Sequence, residues 1–248
     1  MTFIDVHCHI DVLSNIPKII EDARKVNVNI ILGAGLNDKT NREIIKISKK
    51  YPEVKSCLGI YPTDALNLSP SKFKEEIDFI KKSKPCAISE VGLDLKENSA
   101  ESIEKQKKNL LEFLNLARKL DVPIIIHSRK AEKQAIELLE RVNYPKTIMH
   151  CFSGNFKLVQ KIIDKGWYLT IPTNVKHSEH FQKIIELAPI EQLLCETDSP
   201  FLHPDKKRDN APANVVESYK KIAEIKNISL NKAETQIEQN YKSLFNCD

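Results

Sequence analysis

The stretch Pro123-Ile-Ile-Ile-His127 is apolar up to its last residue. A strand with one solvated face alternates polar and apolar residues, whereas a parallel strand covered on both faces is continuously apolar. The stretch therefore predicts a parallel strand that ends at a histidine. Seven further short apolar or β-branched runs predict the other strands: Phe3–Val6, Asn29–Leu32, Val54–Gly59, Cys86–Glu90, Thr147–His150, Gly166–Ile171 and Leu193–Glu196.

Amphipathic segments separate these predicted strands. Between Ile16 and Ala23 the apolar residues follow one another at helical spacing, which predicts a helix with one buried face. Ser69-Pro70 supplies a capping side chain and a proline at the first helical position, so it predicts the start of another helix. Gly166 follows the helical pattern of residues 156–165, where a C-terminal cap belongs.

Strand and helix patterns alternate eight times without a linker or a shift in composition, which predicts a parallel α/β fold. Eight strands close a barrel, and such a barrel uses about 250 residues in one domain. An open doubly wound sheet is the alternative, but no glycine-rich phosphate-binding loop follows an early strand. We therefore predict a single-domain (β/α)8 TIM barrel over residues 1–248, with a site at its C-terminal mouth.

Composition narrows the class of protein. With 41% hydrophobic residues the chain can bury a core, and no apolar run reaches the roughly 18 residues of a membrane helix. No secretory signal or CxxC pair is present, so we predict a reduced, cytoplasmic protein that does not enter a membrane. Cysteines in or beside strands are expected to be small buried hydrophobes: Cys8, Cys57, Cys86, Cys151 and Cys195. The net charge of +4 permits a nucleic-acid partner without arguing for one, and no pattern indicates an oligomeric state.

Histidines and acids gather at the predicted ends of strands. One such histidine alone is more often a core residue than a ligand, but several at one barrel mouth, with carboxylates at the same level, favour a site. His7 and His9 are two residues apart, so both face the same way in an extended segment. The candidate ligands are His7, His9, Glu90, His127, His150 and Asp198.

Four imidazoles and two carboxylates are typical of a site for two divalent ions, which a carboxylate can bridge. Nitrogen and oxygen donors suit Zn, Mn, Fe or Ni, and Mg is also compatible with a carboxylate-rich site. The sequence therefore predicts two divalent ions for each chain and leaves their identity open.

Six ordered motifs resemble those of the TatD family of metal-dependent deoxyribonucleases, which are amidohydrolase-type barrels. The similarity runs from residue 5 to about residue 215, with a family-like ending at 240–245. The motifs are His7-Cys-His9-Ile-Asp11, Gly59-Ile-Tyr61-Pro62, Ser89-Glu90-Val-Gly-Leu-Asp94, Ile126-His127-Ser-Arg129, His150-Cys-Phe-Ser-Gly154 and Glu196-Thr-Asp198-Ser-Pro200.

The resemblance implies a ligand set for each ion. One ion would be held by His7, His9, Glu90 and Asp198 and the other by Glu90, His127 and His150, with Glu90 as the bridge. It also implies a phosphodiesterase that acts on DNA or another nucleic acid, of the exonuclease type. We expect Asp198 to orient the attacking water and to accept its proton.

Residues around the predicted mouth are candidates for substrate binding. Arg129 follows a ligand and could contact phosphate, or it could pair with a helix carboxylate. Arg208 ends a basic run of three residues and stands one position before the family's usual arginine, and Asn210 matches the family's asparagine. Tyr61 and Thr63 occupy positions where the family usually has histidines; tyrosine can donate a hydrogen bond but transfers protons poorly at neutral pH.

Two other functions remain compatible with these residues. Activated water attacks a carbonyl as well as a phosphorus, so an ester or amide hydrolase, such as a D-aminoacyl-tRNA deacylase, uses the same ligands. A metal-binding barrel without turnover is the third possibility. Metal content and a comparison of DNA with aminoacyl-tRNA as substrates separate the three.

Overall fold

The strands of the computed structural model, which describes residues 2–247, lie side by side in chain order, and every pair of neighbours is parallel. A continuously apolar strand belongs in such a sheet because helices cover it on one side and the barrel interior on the other. The strands are β1 Phe3–Cys8, β2 Val28–Ala34, β3 Val54–Leu58, β4 Ala87–Gly92, β5 Ile124–His127, β6 Thr147–Met149, β7 Tyr168–Pro172 and β8 Leu193–Glu196.

Ten α-helices connect and surround the strands within residues 2–247. None of these helices combines the length and the apolar character that crossing a lipid bilayer requires. They are α1 Ile16–Lys25, α2 Asp38–Lys50, α3 Pro62–Asn67, α4 Pro70–Ser83, α5 Ile103–Leu120, α6 Glu132–Val142, α7 Phe156–Asp164, α8 Glu179–Leu187, α9 Val216–Lys226 and α10 Leu230–Leu244.

Helix ends follow the capping rules that the sequence indicates. The hydroxyl of Ser69 accepts a hydrogen bond from the Lys72 amide, and α4 begins at Pro70. After α7, Gly166 has a φ of +68°, a left-handed conformation that a residue without a β-carbon adopts at little cost. Local sequence thus determines where α4 begins and where α7 ends.

The first and last strands meet at the mouth and close the barrel. Cys8 forms a parallel bridge with Ser199, and the His9 amide donates to the Ser199 carbonyl at 2.9 Å. One residue earlier, the Asp198 amide donates to the carbonyl of His7 at 3.0 Å. In an open doubly wound sheet the first and last strands would not form such contacts, so the barrel prediction is confirmed.

Burial explains the uninterrupted apolar run with which β5 begins. Ile124, Ile125 and Ile126 are fully buried, although they point alternately into the barrel and towards the helices. Burial of each isoleucine is worth roughly 1.5–3 kcal/mol relative to exposure. The run therefore stabilises both the barrel interior and the layer between the sheet and the helices.

The observed strand ends differ from the predicted ends by one or two residues. β1 continues to Cys8, so His7 lies within a strand, and β6 stops at Met149, so His150 is the first residue beyond one. β4 continues to Gly92, which places Glu90 inside the strand. Because the inward direction of a side chain follows the strand alternation, these shifts leave the side chains at the mouth.

One cysteine prediction is wrong. Cys86, expected to be a free buried thiol in a reduced protein, forms a disulfide with Cys247, 161 residues further along the chain. The bond joins the segment after α10 to the start of β4. The other four cysteines of the expected set are free; Cys8, Cys57 and Cys195 are buried as predicted, whereas Cys151 is partly exposed. Two single cysteines so far apart leave no spacing pattern, which is why the sequence did not indicate the pair.

Candidate metal centre

His7 and His9 project from the end of β1 towards the same carboxylate. Their Nε2 atoms lie 3.5 Å and 3.6 Å from one oxygen of Glu90, and all three side chains are buried. Cys8, between the two histidines, is buried in the apolar core. The alternation of a strand therefore separates two possible ligands from a core residue, as the HxH spacing predicts.

His127 and His150 approach the other oxygen of the same glutamate. The Nδ1 atom of His127 lies 2.7 Å from Glu90 Oε1, and the Nε2 atom of His150 lies 3.7 Å from it. His127 is the last residue of β5, His150 comes directly after β6, and Glu90 is on β4. Glu90 thus stands between two pairs of imidazoles, where a bridging ligand belongs.

Asp198 completes this group from the turn after β8. Its Oδ1 atom lies 3.4 Å from Nε2 of His9, 3.8 Å from that of His7 and 3.9 Å from that of His150. The six predicted ligands therefore converge, and we name them the inner cluster. Within residues 2–247, three sets of donor atoms lie within 4.8 Å of one another: His7, His9 and Asp198; Glu90, His127 and His150; and His7, His150 and Glu196.

Two outer carboxylates hold the rings of the inner cluster. Oε2 of Glu196 lies 2.8 Å from Nδ1 of His150, and Oδ2 of Asp94 lies 2.8 Å from Nε2 of His127. The hydroxyl of Tyr61 donates to the same Asp94 oxygen at 2.9 Å. Each carboxylate fixes its ring and leaves the other ring nitrogen directed at Glu90, which is how ligand histidines are oriented in metal sites.

His7 in β1 and His9 just beyond it have weaker outer partners. Nδ1 of His7 lies 3.4 Å from the hydroxyl of Ser89, and Nδ1 of His9 lies 3.3 Å from the carbonyl oxygen of Ala34. A carbonyl can only accept, so Nδ1 of His9 carries a proton when it makes this contact. Nε2 faces Asp198 at 3.4 Å and, without a cation, its proton is shared with that carboxylate; a bound cation would take the place of this proton.

Charges of opposite sign stabilise each other in the inner cluster. Burial alone would raise the pKa of Glu90, but the charge and hydrogen bond of His127, together with the charge of His150, hold that pKa well below its usual range. Burial would also lower the pKa of His150, yet Glu196 and Glu90 raise it to about 10. Without a cation, the carboxylates are therefore balanced by protons on imidazoles, which a metal would displace.

Nε2 of His7 is the buried atom that best fits a metal ligand. It makes no hydrogen bond within the part of the chain that the structure describes, and the Glu90 oxygen is 3.5 Å away, long for a hydrogen bond. Burial, followed by the charge of His150, lowers the pKa of His7, so its ring is neutral. A buried polar nitrogen without a hydrogen bond lowers the stability of the fold, and a neutral imidazole nitrogen is a good ligand for a divalent cation.

Asp5 supports the inner cluster from below and was not predicted to do so. Its carboxylate accepts hydrogen bonds from the amide of Thr197 at 2.8 Å and from the Thr197 hydroxyl. Burial raises the pKa of Asp5 to about 8, against the hydrogen bonds of Thr197 that lower it. Asp5 thereby ties β1 to the turn that carries Asp198. An aspartate inside the apolar run Phe3–Val6 was the signal for this role.

A cavity of about 680 Å³ opens above the inner cluster at the mouth. Arg129 and Tyr61 line it, as do His9, Glu90, His127 and Asp198. No carboxylate within residues 2–247 lies at ion-pair distance from the Arg129 guanidinium, so the alternative of a surface ion pair has no contact in its favour. Thr63 lies nearby, where its hydroxyl accepts a hydrogen bond from Asn98 at 2.9 Å.

The two candidates beyond β8 have different positions. Arg208 is exposed in the loop and does not line the cavity. Asn210 is only 1% exposed, and its amide donates to the Thr197 and Phe201 carbonyls at 2.8 Å and 2.7 Å. The amide of Asn210 therefore holds the loop in this structure, and contact between Asn210 and a substrate stays a prediction.

Comparison with known proteins identifies the family. Residues 4–246 match the family model described as TatD related DNase. The chain is 30% identical over 257 residues to human deoxyribonuclease TATDN3, covering 98% of this chain and 94% of the relative. It is 28% identical to a 3'-5' ssDNA/RNA exonuclease TatD from Escherichia fergusonii, over 92% of this chain and 91% of that protein.

A solved structure gives the same answer for the fold. The TatD homologue YjjV from Escherichia coli superposes with a TM-score of 0.90 at 23% identity, covering 99% of this chain and 98% of that one. The predicted resemblance is confirmed by a match over nearly the whole chain. This chain belongs to the TatD-related DNase family of metal-dependent hydrolases.

Proposed function

We propose that this chain is a nuclease that hydrolyses phosphodiester bonds of DNA or a related nucleic acid, removing nucleotides from a strand end. The observation that carries the proposal is the convergence of the inner cluster on Glu90 beneath an open cavity. The names of the relatives, a human deoxyribonuclease and a bacterial single-strand exonuclease, favour a phosphodiester over a carboxylic ester.

Two divalent ions for each chain are part of the proposal. His7, His9 and Asp198 offer donors for one ion and His127 and His150 for the other, with Glu90 as the ligand common to both. The unpartnered Nε2 of His7 supports this assignment, because a cation held there would satisfy it. The nitrogen and oxygen donors are compatible with Zn, Mn, Fe, Ni or Mg.

Bound ions would supply the positive charge that lowers the pKa of water and screens the oxygens of a phosphodiester. Asp198 orients the attacking water and takes its proton on a carboxylate oxygen. Burial would raise the pKa of Asp198, but the hydrogen bond from His9 and the charges of His150 and His9 keep it below its ordinary value. The carboxylate is therefore ionised at neutral pH and able to accept a proton.

Three residues of the mouth would contact the substrate. Arg129 pairs with a non-bridging phosphate oxygen. Its guanidinium is available for this contact because no carboxylate of the described residues forms an ion pair with it. Arg208 attracts the nucleic-acid backbone from the loop after β8, where its charge is exposed. Tyr61 lines the cavity, and its burial and the charges of Glu90 and Asp94 raise its pKa, so its hydroxyl stays protonated. Because that proton is donated to Asp94, Tyr61 would meet a substrate through its ring and the acceptor side of its oxygen.

The test is a small substrate panel with and without a chelator. Metal-reconstituted protein is incubated with end-labelled single-stranded DNA and, separately, with D-aminoacyl-tRNA. We expect the DNA to be shortened from one end and the chelator to stop the reaction. Intact DNA together with loss of the ester would replace the nuclease by a deacylase, and no turnover with no bound metal would leave a non-enzymatic barrel.

Two broader expectations accompany this proposal. We propose that residues 1–248 act as one hydrolase domain, which the family match over residues 4–246 supports. A cytoplasmic location stays a prediction from the sequence, and fractionation of the cells that make the protein measures it.

A further inference from the structure

Phe201 presents an aromatic ring to the cavity of the proposed nuclease. Its side chain is 59% exposed, and within residues 2–247 only Val12 is a large hydrophobic residue exposed to the same extent. Single exposed apolar residues are common on protein surfaces. Phe201 differs because it lines the cavity above the inner cluster and its ring centroid lies 6.3 Å from that of His9.

The backbone around Phe201 is fixed by hydrogen bonds on both sides. The Phe201 amide donates to the Asp198 carbonyl at 2.8 Å, and its carbonyl accepts from Asn210 at 2.7 Å. The next carbonyl, of Leu202, accepts from the Thr173 hydroxyl at 2.6 Å. An exposed ring on such a frame is presented in a defined place, which reduces the conformational entropy lost when a ligand binds.

Phe201 and Arg129 stand on different sides of the mouth. Phe201 follows β8 and Arg129 follows β5, three strands away in a barrel of eight, and the inner cluster lies between them. The rings of His9 and Phe201 meet at 72°, so His9 contacts Phe201 edgewise and leaves much of the ring free. The cavity thus offers the guanidinium of Arg129 to a phosphate, the inner cluster to the scissile bond and the aromatic face of Phe201 to a base.

We propose that Phe201 is a substrate-binding residue on which the base next to the scissile phosphodiester stacks; this rests on the proposed nuclease function. A nucleotide has the two chemical parts that these walls recognise, an anionic phosphate and a planar aromatic base. Stacking on a side chain is tolerant of sequence because every base has an aromatic face. Phe201 therefore selects for a stackable base at one position without reading which base it is.

The experiment compares thymidine with 5,6-dihydrothymidine, which keeps the polar edge of the base and loses its aromatic ring. A single-stranded oligothymidylate carries the replacement at each of the terminal positions in turn, and kcat and KM are measured with metal-loaded protein. At one position, we expect kcat/KM of the wild-type protein to fall by about 5- to 150-fold, mainly through KM. Phe201→Leu should show a similar fall with all-thymidine DNA and no further response to dihydrothymidine.

Two variants serve as controls. Phe201→Tyr keeps an aromatic ring and should behave as the wild-type protein does. Phe156→Leu changes another exposed phenylalanine, 42% exposed at the start of α7, which stacks on His180 and does not line the cavity; it should also leave the dihydrothymidine response unchanged. Circular dichroism and metal content show whether Phe201→Leu is folded.

The results separate the two proposals. If wild-type protein shortens all-thymidine DNA but Phe201→Leu responds to dihydrothymidine as strongly as wild type does, the role of Phe201 is overturned while the nuclease stands. The same conclusion follows if wild-type protein is indifferent to dihydrothymidine at every position. If metal-loaded wild-type protein cleaves no oligonucleotide, the nuclease proposal itself fails and the stacking role fails with it.

Discussion

The inner cluster and the loop that contains Lys206, Lys207 and Arg208 differ in how the protein holds their charged groups. In the inner cluster, the buried ring of His150 and the largely buried ring of His127 are fixed by Glu196 and Asp94. In the loop, the three basic side chains are exposed and make no hydrogen bond or ion pair with any part of residues 2–247. The fold thus holds in place the groups that we propose to perform the chemistry, and it leaves unpaired the charges that we propose to attract the substrate.

This contrast separates two kinds of effect. Substitution in the inner cluster should lower turnover or metal affinity, because a rigid and buried group has no substitute. Substitution at the rim should change KM and its dependence on salt, because exposed charges act at a distance and are screened. We therefore expect inner-cluster variants to change turnover or metal affinity and rim variants to change KM and its salt dependence.

The largest effect is expected for Asp198→Ala. Loss of a positioned general base lowers kcat by about 10²- to 10⁴-fold, and the measurement is single-turnover cleavage at saturating metal. Asp205→Ala is the matched control, since Asp205 is an exposed carboxylate of the same loop that pairs with Lys176 at 2.6 Å. Full metal-dependent turnover by Asp198→Ala would remove the proton-accepting role.

A smaller effect is expected for Glu196→Gln, which keeps the side-chain size and removes the charge beside His150. Loss of an outer partner of this kind weakens metal binding by about 10- to 100-fold. Competition with a chelator measures the affinity, and Glu191→Gln, an exposed glutamate just before β8, is the control. Unchanged affinity in Glu196→Gln would show that the ring of His150 needs no carboxylate to hold it.

The smallest effects are expected at the rim. Arg129→Ala and Arg208→Ala should each raise KM by less than about tenfold, leave kcat nearly unchanged and reduce the salt slope of binding by about one. Arg141→Ala changes an exposed arginine near the C-terminal end of α6, away from the mouth, and should change neither KM nor the salt slope. A fall in kcat with an unaltered salt slope would instead place Arg129 or Arg208 in the chemical step.

The sequence predicts the barrel and the inner cluster for the same reason. A run such as Ile124–Ile126 is apolar because both faces are covered, and the polar residue that ends it must lie at the mouth. His127 and His150 could therefore be assigned to one site although they come from different strands. Strand ends were less well predicted, because the last pairs of a ladder depend on neighbouring strands rather than on local sequence.

Contacts between distant segments were not predictable in this way. Asp5 contacts Thr197 across 192 positions, and Cys86 bonds to Cys247 across 161. The apolar run around Asp5 marks it as unusual, but no local pattern identifies the partner in either pair. Asn210 matches a family motif, and the fold adds what the motif could not give, that its amide supports the backbone around Phe201. A motif indicates that a residue matters; only the fold distinguishes a group that contacts the ligand from one that holds the loop beneath it.

Two ions that share Glu90 would be visible by anomalous scattering from crystals of the reconstituted protein, combined with the metal content of the same preparation. We expect two anomalous peaks for each chain, one beside His7 and His9 and one beside His127 and His150, with Glu90 between them. A single peak, or peaks held by residues outside the inner cluster, would contradict the two-ion proposal.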